Sequence, residues 1–215
     1  MQSQAKTLYR TIAGAVTLFA VGMQYWLLVG DGSGAALVSS TVRFFSFFTI
    51  LTNLLAAAAL LLPLLGPSSG VGRFLDRPSV RTAIAGYIII VGTVYYLLLR
   101  GVSNAEGWPL FFEQVLHYVT PPLFVLDWLL FVPKGEVAWR TGVAYLGFPA
   151  AYAAWTLGHG AVSGWYPYPF LDVPELGYPR TLFNIAGLVL AFLAVELILV
   201  GIGRLIDRRQ RPKIS

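Results

Sequence analysis

Residues Arg43–Leu65 read "RFFSFFTILTNLLAAAALLLPLL", and after the opening arginine the run carries no charged side chain. As a helix rising about 1.5 Å per residue, it matches the roughly 30 Å hydrocarbon core of a bilayer. It also holds Ser46, Thr49, Thr52 and Asn53. Polar groups at membrane depth are costly unless a partner or a function holds them. Helix hydroxyls can bond back to their own carbonyls and help helices pack; alternatively, one of these is a nucleophile.

The rest of the chain repeats the apolar pattern. It is 57% hydrophobic and 12% charged, with a mean hydropathy of +0.70. A soluble domain carries about twice that charged fraction, so most of the surface is expected to face hydrocarbon. Six apolar runs approach the roughly 20 residues of a span, at about 9–30, 43–65, 81–99, 113–132, 139–159 and 181–205. The expected fold is all-α: one six-span transmembrane domain over residues 1–215. The first run lacks a small-residue cleavage site and is expected to stay as a helix. The absence of cysteine excludes disulfides, thiolate nucleophiles and iron–sulfur ligation.

With both termini in the cytoplasm, twelve of the fifteen basic residues fall on that side, leaving Arg43, Arg100 and Arg180 outside. That is the bias the positive-inside rule requires. The net charge of +5 is thus an orientation signal, with no nucleic-acid signature attached. The tail "RLIDRRQRPK" reads as an anchor near anionic lipid. The expected location is a bacterial inner membrane, with any site near Arg43 facing the outer leaflet.

Few polar groups lie inside the spans. In a continuous second helix, Ser46, Thr49 and Asn53 follow i, i+3, i+7 spacing and share one face, with Thr52 a weaker member. Thr49 lies roughly 9 Å below the outer surface, and His117 on the fourth helix lies about 6–9 Å down. A hydroxyl nucleophile needs a base within hydrogen-bond reach, so the matched depth makes a hydroxyl–imidazole pair conceivable. Asn53, one turn below Thr49, is placed to support an oxyanion or to orient the base. Pro121, four residues after His117, deprives the His117 carbonyl of its helical partner and should kink the helix. Asp127 and Glu196 lie deeper, open between structural pairing and chemistry. His159 is expected in a loop at the end of the fifth helix, and His117 and His159 with Glu113 or Asp172 make too thin a set for haem or metal. No cofactor is expected. The stretch "SGWYPYPFLD", Ser163–Asp172, reads either as an interfacial aromatic belt or as a lid over an acyl-chain cavity. The residues expected around that cavity are Phe44, Phe45, Phe48, Trp165 and Tyr168.

Three segments, "RFFSFFTILTNLL", "HYVTPPLFVLDWL" and "SGWYPYPFL", carry a resemblance that spans most of the chain. The chain resembles the family of six-span membrane proteins that includes the androgen-induced and the androgen-dependent TFPI-regulating proteins of animals. The resemblance implies a threonine hydrolase of fatty acid esters of hydroxy fatty acids, with His117 as the histidine of the fourth helix. The family pattern of Phe, any residue, Thr is met at Thr49; alignment on the preceding basic residue places Ser46 there instead. The expected activity is therefore a lipid esterase using a Thr–His dyad, with a membrane lipid or lipid ester as its partner. The alternatives are a lipid-binding or sensing protein that breaks no bond and, from a third class, a small-solute transporter. A transporter would be expected to show internal repeats and broken helices at mid-depth, and no convincing repeat relates the two halves.

Overall fold

The computed structural model describes residues 2–135 and 137–210. Among these the chain forms helices and no strand. They are α1 (Gln2–Val29), α2 (Gly34–Phe45), α3 (Phe48–Leu65), α4 (Gly70–Leu75), α5 (Pro78–Val94), α6 (Gly107–Gln114), α7 (Thr120–Phe131), α8 (Trp139–Ala144), α9 (Gly147–Ser163) and α10 (Val173–Gln210, broken at Gly177). Two π-helical turns, Tyr95–Leu99 and Val115–Val119, extend α5 and join α6 to α7. Of the basic residues assigned to the cytoplasmic side, Arg211 and Lys213 lie outside the described residues.

Four helical stretches are long and apolar enough to cross a membrane: Gln4–Val29, Phe48–Leu65, Pro78–Leu99 and Val173–Arg208. The other two expected spans fall on shorter helices, none of which is by itself long enough to cross. Residues 113–132 fall on α6, the π turn and α7, while 139–159 are divided between α8 and α9. Large apolar side chains that would be costly in water lie exposed around the bundle, including Phe19, Trp26, Leu97, Leu130 and Phe183. That exposure suits a lipid-facing surface.

The second expected span is not one continuous helix. Ser46 ends α2, and Phe47 is extended (φ −81°, ψ 127°) before α3 begins. The break is held by side chains from α9: the Tyr152 hydroxyl donates to the Ser46 carbonyl (2.9 Å), and Trp155 Nε1 donates to Ser46 Oγ (3.2 Å). Ser46 Oγ donates in turn to the Val42 carbonyl (2.8 Å). The expectation that Ser46 shares a helix face with Thr49 and Asn53 is therefore corrected, because the helical phase is lost between them. The break also exposes the first amides of α3, which have no helical acceptor.

Two apolar clusters surround this point. One gathers Ala20, Val21, Phe44, Ile50, Phe112 and Leu116 from α1, α2, α3 and the α6 segment. The larger is centred on Phe48, whose ring meets Tyr87, Phe148, Tyr152 and Phe192 within 6.4 Å between centroids. At the opposite end of the bundle lies a knot of charge. Asp127 on α7 accepts from Arg10 of α1 (2.7 Å) and Arg81 of α5 (2.5 Å), and both arginines also reach Asp76 (2.8 and 3.1 Å). Arg81 further donates to the Ala59 carbonyl of α3. Burial pushes the Asp76 carboxyl up, but the Arg10 hydrogen bond and the charges of Arg81, Arg10 and Lys6 outweigh it and hold it below the usual carboxylate range.

Candidate active site

His117 sits in the π-helical turn between α6 and α7. Pro121 has no amide to offer the His117 carbonyl, and the turn there is widened, closed from the Thr120 amide to the Val115 carbonyl. Gly92 of α5 packs against the freed carbonyl; a Cβ there would lie 3.0 Å from it. The imidazole is fixed on two sides. Its Nδ1–H donates to the Glu113 carbonyl (2.7 Å), and its face stacks on Tyr95 at 3.8 Å and 16°. With the proton on Nδ1, the Nε2 lone pair is left to accept.

It accepts from Thr49. Thr49 Oγ1 lies 3.1 Å from His117 Nε2, with both residues buried. Thr49 is the second residue of α3, so its own amide belongs to the unsatisfied helix start and accepts a substitute partner: Thr49 N–H donates to the Tyr168 hydroxyl at 3.3 Å. The Tyr168 hydroxyl also lies 3.3 Å from Thr49 Oγ1. Because the Thr49 proton points to Nε2, the tyrosine is the donor in this contact. Threonine oxygen, imidazole nitrogen, phenol and helix-start amide thus converge on one point.

Tyr168 arrives there because the loop after α9 turns inward. Gly164 closes α9 in the left-handed region (φ 69°), and the Tyr166 ring packs against Gly160, where any Cβ would overlap it. Asn184 of α10 then donates to the Phe170 carbonyl (2.9 Å), and Phe170 stacks on Tyr168 at 5.2 Å and 7°. Tyr166, Tyr168 and Leu171 are buried. These three side chains turn inward, while Ser163, Gly164 and Pro169 of the same segment are exposed.

Comparison with family models, with curated proteins and with solved structures gives no match.

Two cavities meet at Thr49 and Tyr168. One, of about 70 Å³ and about 620 Å³ with the open space at its mouth, runs between α5, α9 and α10 past Phe48, Val94, Leu188 and Phe192. The other, of about 310 Å³, is bounded by Phe44, Phe47, Tyr95, Glu113 and His117. Phe48 lines the first of these and Phe44 the second. Phe45 borders neither; it is 42% exposed and points away from both. Trp165 lines neither, its ring lying against Phe47 and under Arg43.

Asn53 has a different place from the one expected. Its amide nitrogen donates to the Thr49 carbonyl (2.8 Å) and the Leu116 carbonyl (3.3 Å), so it ties α3 to the His117 turn and offers no proton to the reaction centre. Ser46 is committed to the break between α2 and α3. His159 lies within α9 and stacks on Trp155 at 5.5 Å, a correction to its expected loop position. Among the described residues no three His, Asp or Glu side chains gather as a metal site. Asp127 is paired, whereas the buried Glu196 oxygens meet no hydrogen-bond donor. Sequence reading missed Tyr95, which carries no distinguishing pattern, and the Glu113 carbonyl, for which the i−4 spacing from His117 is a usable signal.

Proposed function

We propose that the protein is an integral membrane ester hydrolase with Thr49 as nucleophile and His117 as base. The observation that carries this reading is the Thr49 Oγ1 to His117 Nε2 contact of 3.1 Å, made by an imidazole whose other nitrogen is already bonded. Nε2 takes the Thr49 proton as Oγ1 attacks the ester carbonyl carbon, and the carbonyl electron pair moves onto oxygen. The nearest donors to that oxyanion are the Thr49 amide and the Tyr168 hydroxyl, the pair that now bond to each other. Collapse expels the alcohol, which leaves with the proton from Nε2, and an acyl ester remains on Thr49. Water then gives a proton to Nε2 and attacks the acyl carbon; release of the acid returns that proton to Thr49. A backbone carbonyl takes the place of a third carboxylate, and this fits the dyad that the family resemblance implies.

Six spans with both termini cytoplasmic complete the proposal, supported by twelve of fifteen basic residues on one side. The site then faces the outer leaflet of a bacterial inner membrane. Because the chain has no cysteine, Ser163→Cys and Ser68→Cys test this without background: an impermeant maleimide on intact cells should label the first and spare the second. The reverse pattern overturns the orientation. For the chemistry, a fluorophosphonate should modify the purified protein at Thr49, mapped by mass spectrometry, with no adduct in His117→Ala. An adduct on Ser46 would reassign the nucleophile, and binding of lipid esters without adduct or turnover would favour a lipid-binding protein.

A further inference from the structure

The two cavities differ in which catalytic group they touch. His117 lines only the wider one, while Thr49 and Tyr168 line both. The proton that releases the alcohol comes from His117, so the alcohol must depart on the His117 side. The narrower cavity, walled by aliphatic and aromatic side chains, is left for the acyl chain.

Charge in the wider cavity is one-sided. Glu113 contributes a carboxylate, held by the Ser103 hydroxyl at 3.0 Å, and no Lys or Arg lines either cavity among the described residues. The three arginines nearest this end in sequence are turned elsewhere: Arg43 lies over Trp165 (5.4 Å), Arg100 over Tyr96 (4.8 Å) and Arg180 over Phe183 (5.6 Å). The remaining walls include the aromatic rings of Phe44 and Phe47, a kind of surface that attracts cations, while Tyr95 and Tyr168 each have one ring face covered by a stacked neighbour. A carboxylate entering this space meets a like charge with nothing to neutralise it, whereas an ammonium meets a carboxylate and aromatic rings.

We infer that the wider cavity is the alcohol side of the site and that Glu113 selects esters whose alcohol ends in a cationic or uncharged group, rejecting alcohols that carry a carboxylate. The direction of the ester rests on the hydrolase reading; the charge preference of the cavity does not. It departs from the resemblance, which implies an alcohol bearing a free carboxylate.

Three octanoyl esters test it on the full-length protein in nanodiscs. They are octanoylcholine, its isostere with carbon in place of the ammonium nitrogen, and the octanoyl ester of γ-hydroxybutyrate. The expected kcat/KM for octanoylcholine exceeds that for the carboxylate ester by about tenfold or more, with the isostere between them. Glu113→Gln should shrink the ratio to about threefold or less and Glu113→Lys should invert it; the Glu113 carbonyl that holds His117 is kept in both. The ratio does not depend on how much of a variant folds. Equal rates on all three esters, or a ratio that Glu113→Gln leaves unmoved, overturns the inference. Calorimetric titration of Thr49→Ala with the same compounds separates the two readings. If nothing is hydrolysed, a cation preference that Glu113→Gln abolishes upholds the cavity assignment and removes the hydrolase, whereas no preference removes both.

Discussion

Replacing Tyr168 by Phe removes one oxygen and leaves the rest of the loop in place. The ring keeps its stack on Phe170 at 5.2 Å and its edge contact with Phe47 at 5.7 Å. What is lost is the pair of contacts to Thr49, each 3.3 Å and long for hydrogen bonds, together with the hydroxyl's contacts to the Phe48 backbone and the Tyr152 side chain. In the resting protein that loss should cost about 0.5–1.5 kcal/mol. At roughly 2–4 °C per kcal/mol for a chain of this size, Tm should fall by only a few degrees. In the transition state the same oxygen is one of the two donors proposed to meet the developing charge, and losing such a donor typically costs about 100- to 1,000-fold in kcat. The assay is paired: kcat and KM on octanoylcholine, and unfolding followed by tryptophan fluorescence on the same preparation. The expected result is a large fall in kcat, a KM little changed and a small shift in Tm. A kcat within about threefold of the parent would refute the placement of Tyr168 at the oxyanion, and a loss of activity accompanied by collapse of Tm would reduce the residue to a packing element.

Thr49→Ala and His117→Ala should each abolish hydrolysis, and the double variant should be scarcely slower than either, because groups acting as one unit are not additive; additive losses, read from the three kcat values, would dissolve the dyad. Gly160→Ala drives a Cβ into the Tyr166 ring, so the loop must move and carry Tyr168 off Thr49; activity should fall by more than the shift in Tm explains, and an unchanged rate would uncouple the loop from the site. The Asp76 carboxyl is held below its usual range by Arg10 and Arg81 in the folded chain, so the stability it lends is present above the unfolded pKa near 4 and is lost as pH falls through the folded value. Tm of the parent should therefore drop as the medium is acidified below about pH 4, and Asp76→Asn should be less stable at neutral pH with a flatter acid limb; parallel profiles would show that the pairing contributes nothing.

The depth arithmetic that put Thr49 and His117 at one level rested on helix rise and on where the apolar runs began, and the two side chains do meet. That they touch was not readable, since nothing in a single sequence says which helices are neighbours. The break at Ser46–Phe47 was hidden because the run "FFSFFT" contains no proline or glycine; it is imposed from outside by Tyr152 and Trp155 of α9, over a hundred positions later. Tyr168 stood among candidate lid residues for its aromatic, proline-rich setting, but its contact with Thr49 follows from Gly160 and Asn184, which signal nothing locally. Four of the expected spans lie on helices long enough to cross a membrane, while α6–α7 and α8–α9 were read as single runs because hydropathy does not register a π turn or a short break.

The knot of Arg10, Arg81 and Asp127 also constrains the order in which the protein can be made. Arg10 leaves the ribosome 117 residues ahead of Asp127, which at about 5–20 residues per second is a wait of roughly 6 to 23 s. For the first part of that interval Arg10 has no partner in the knot, and its position near the helix end lets it stay in the headgroup region. Asp76 then offers it a half-exposed carboxylate, already made when Arg81 emerges five residues later. Asp127, the fully buried carboxylate of the knot, is translated after both arginines. The contacts that bind the first and third membrane helices to α7 are therefore completed only once the seventh helical segment has been synthesised.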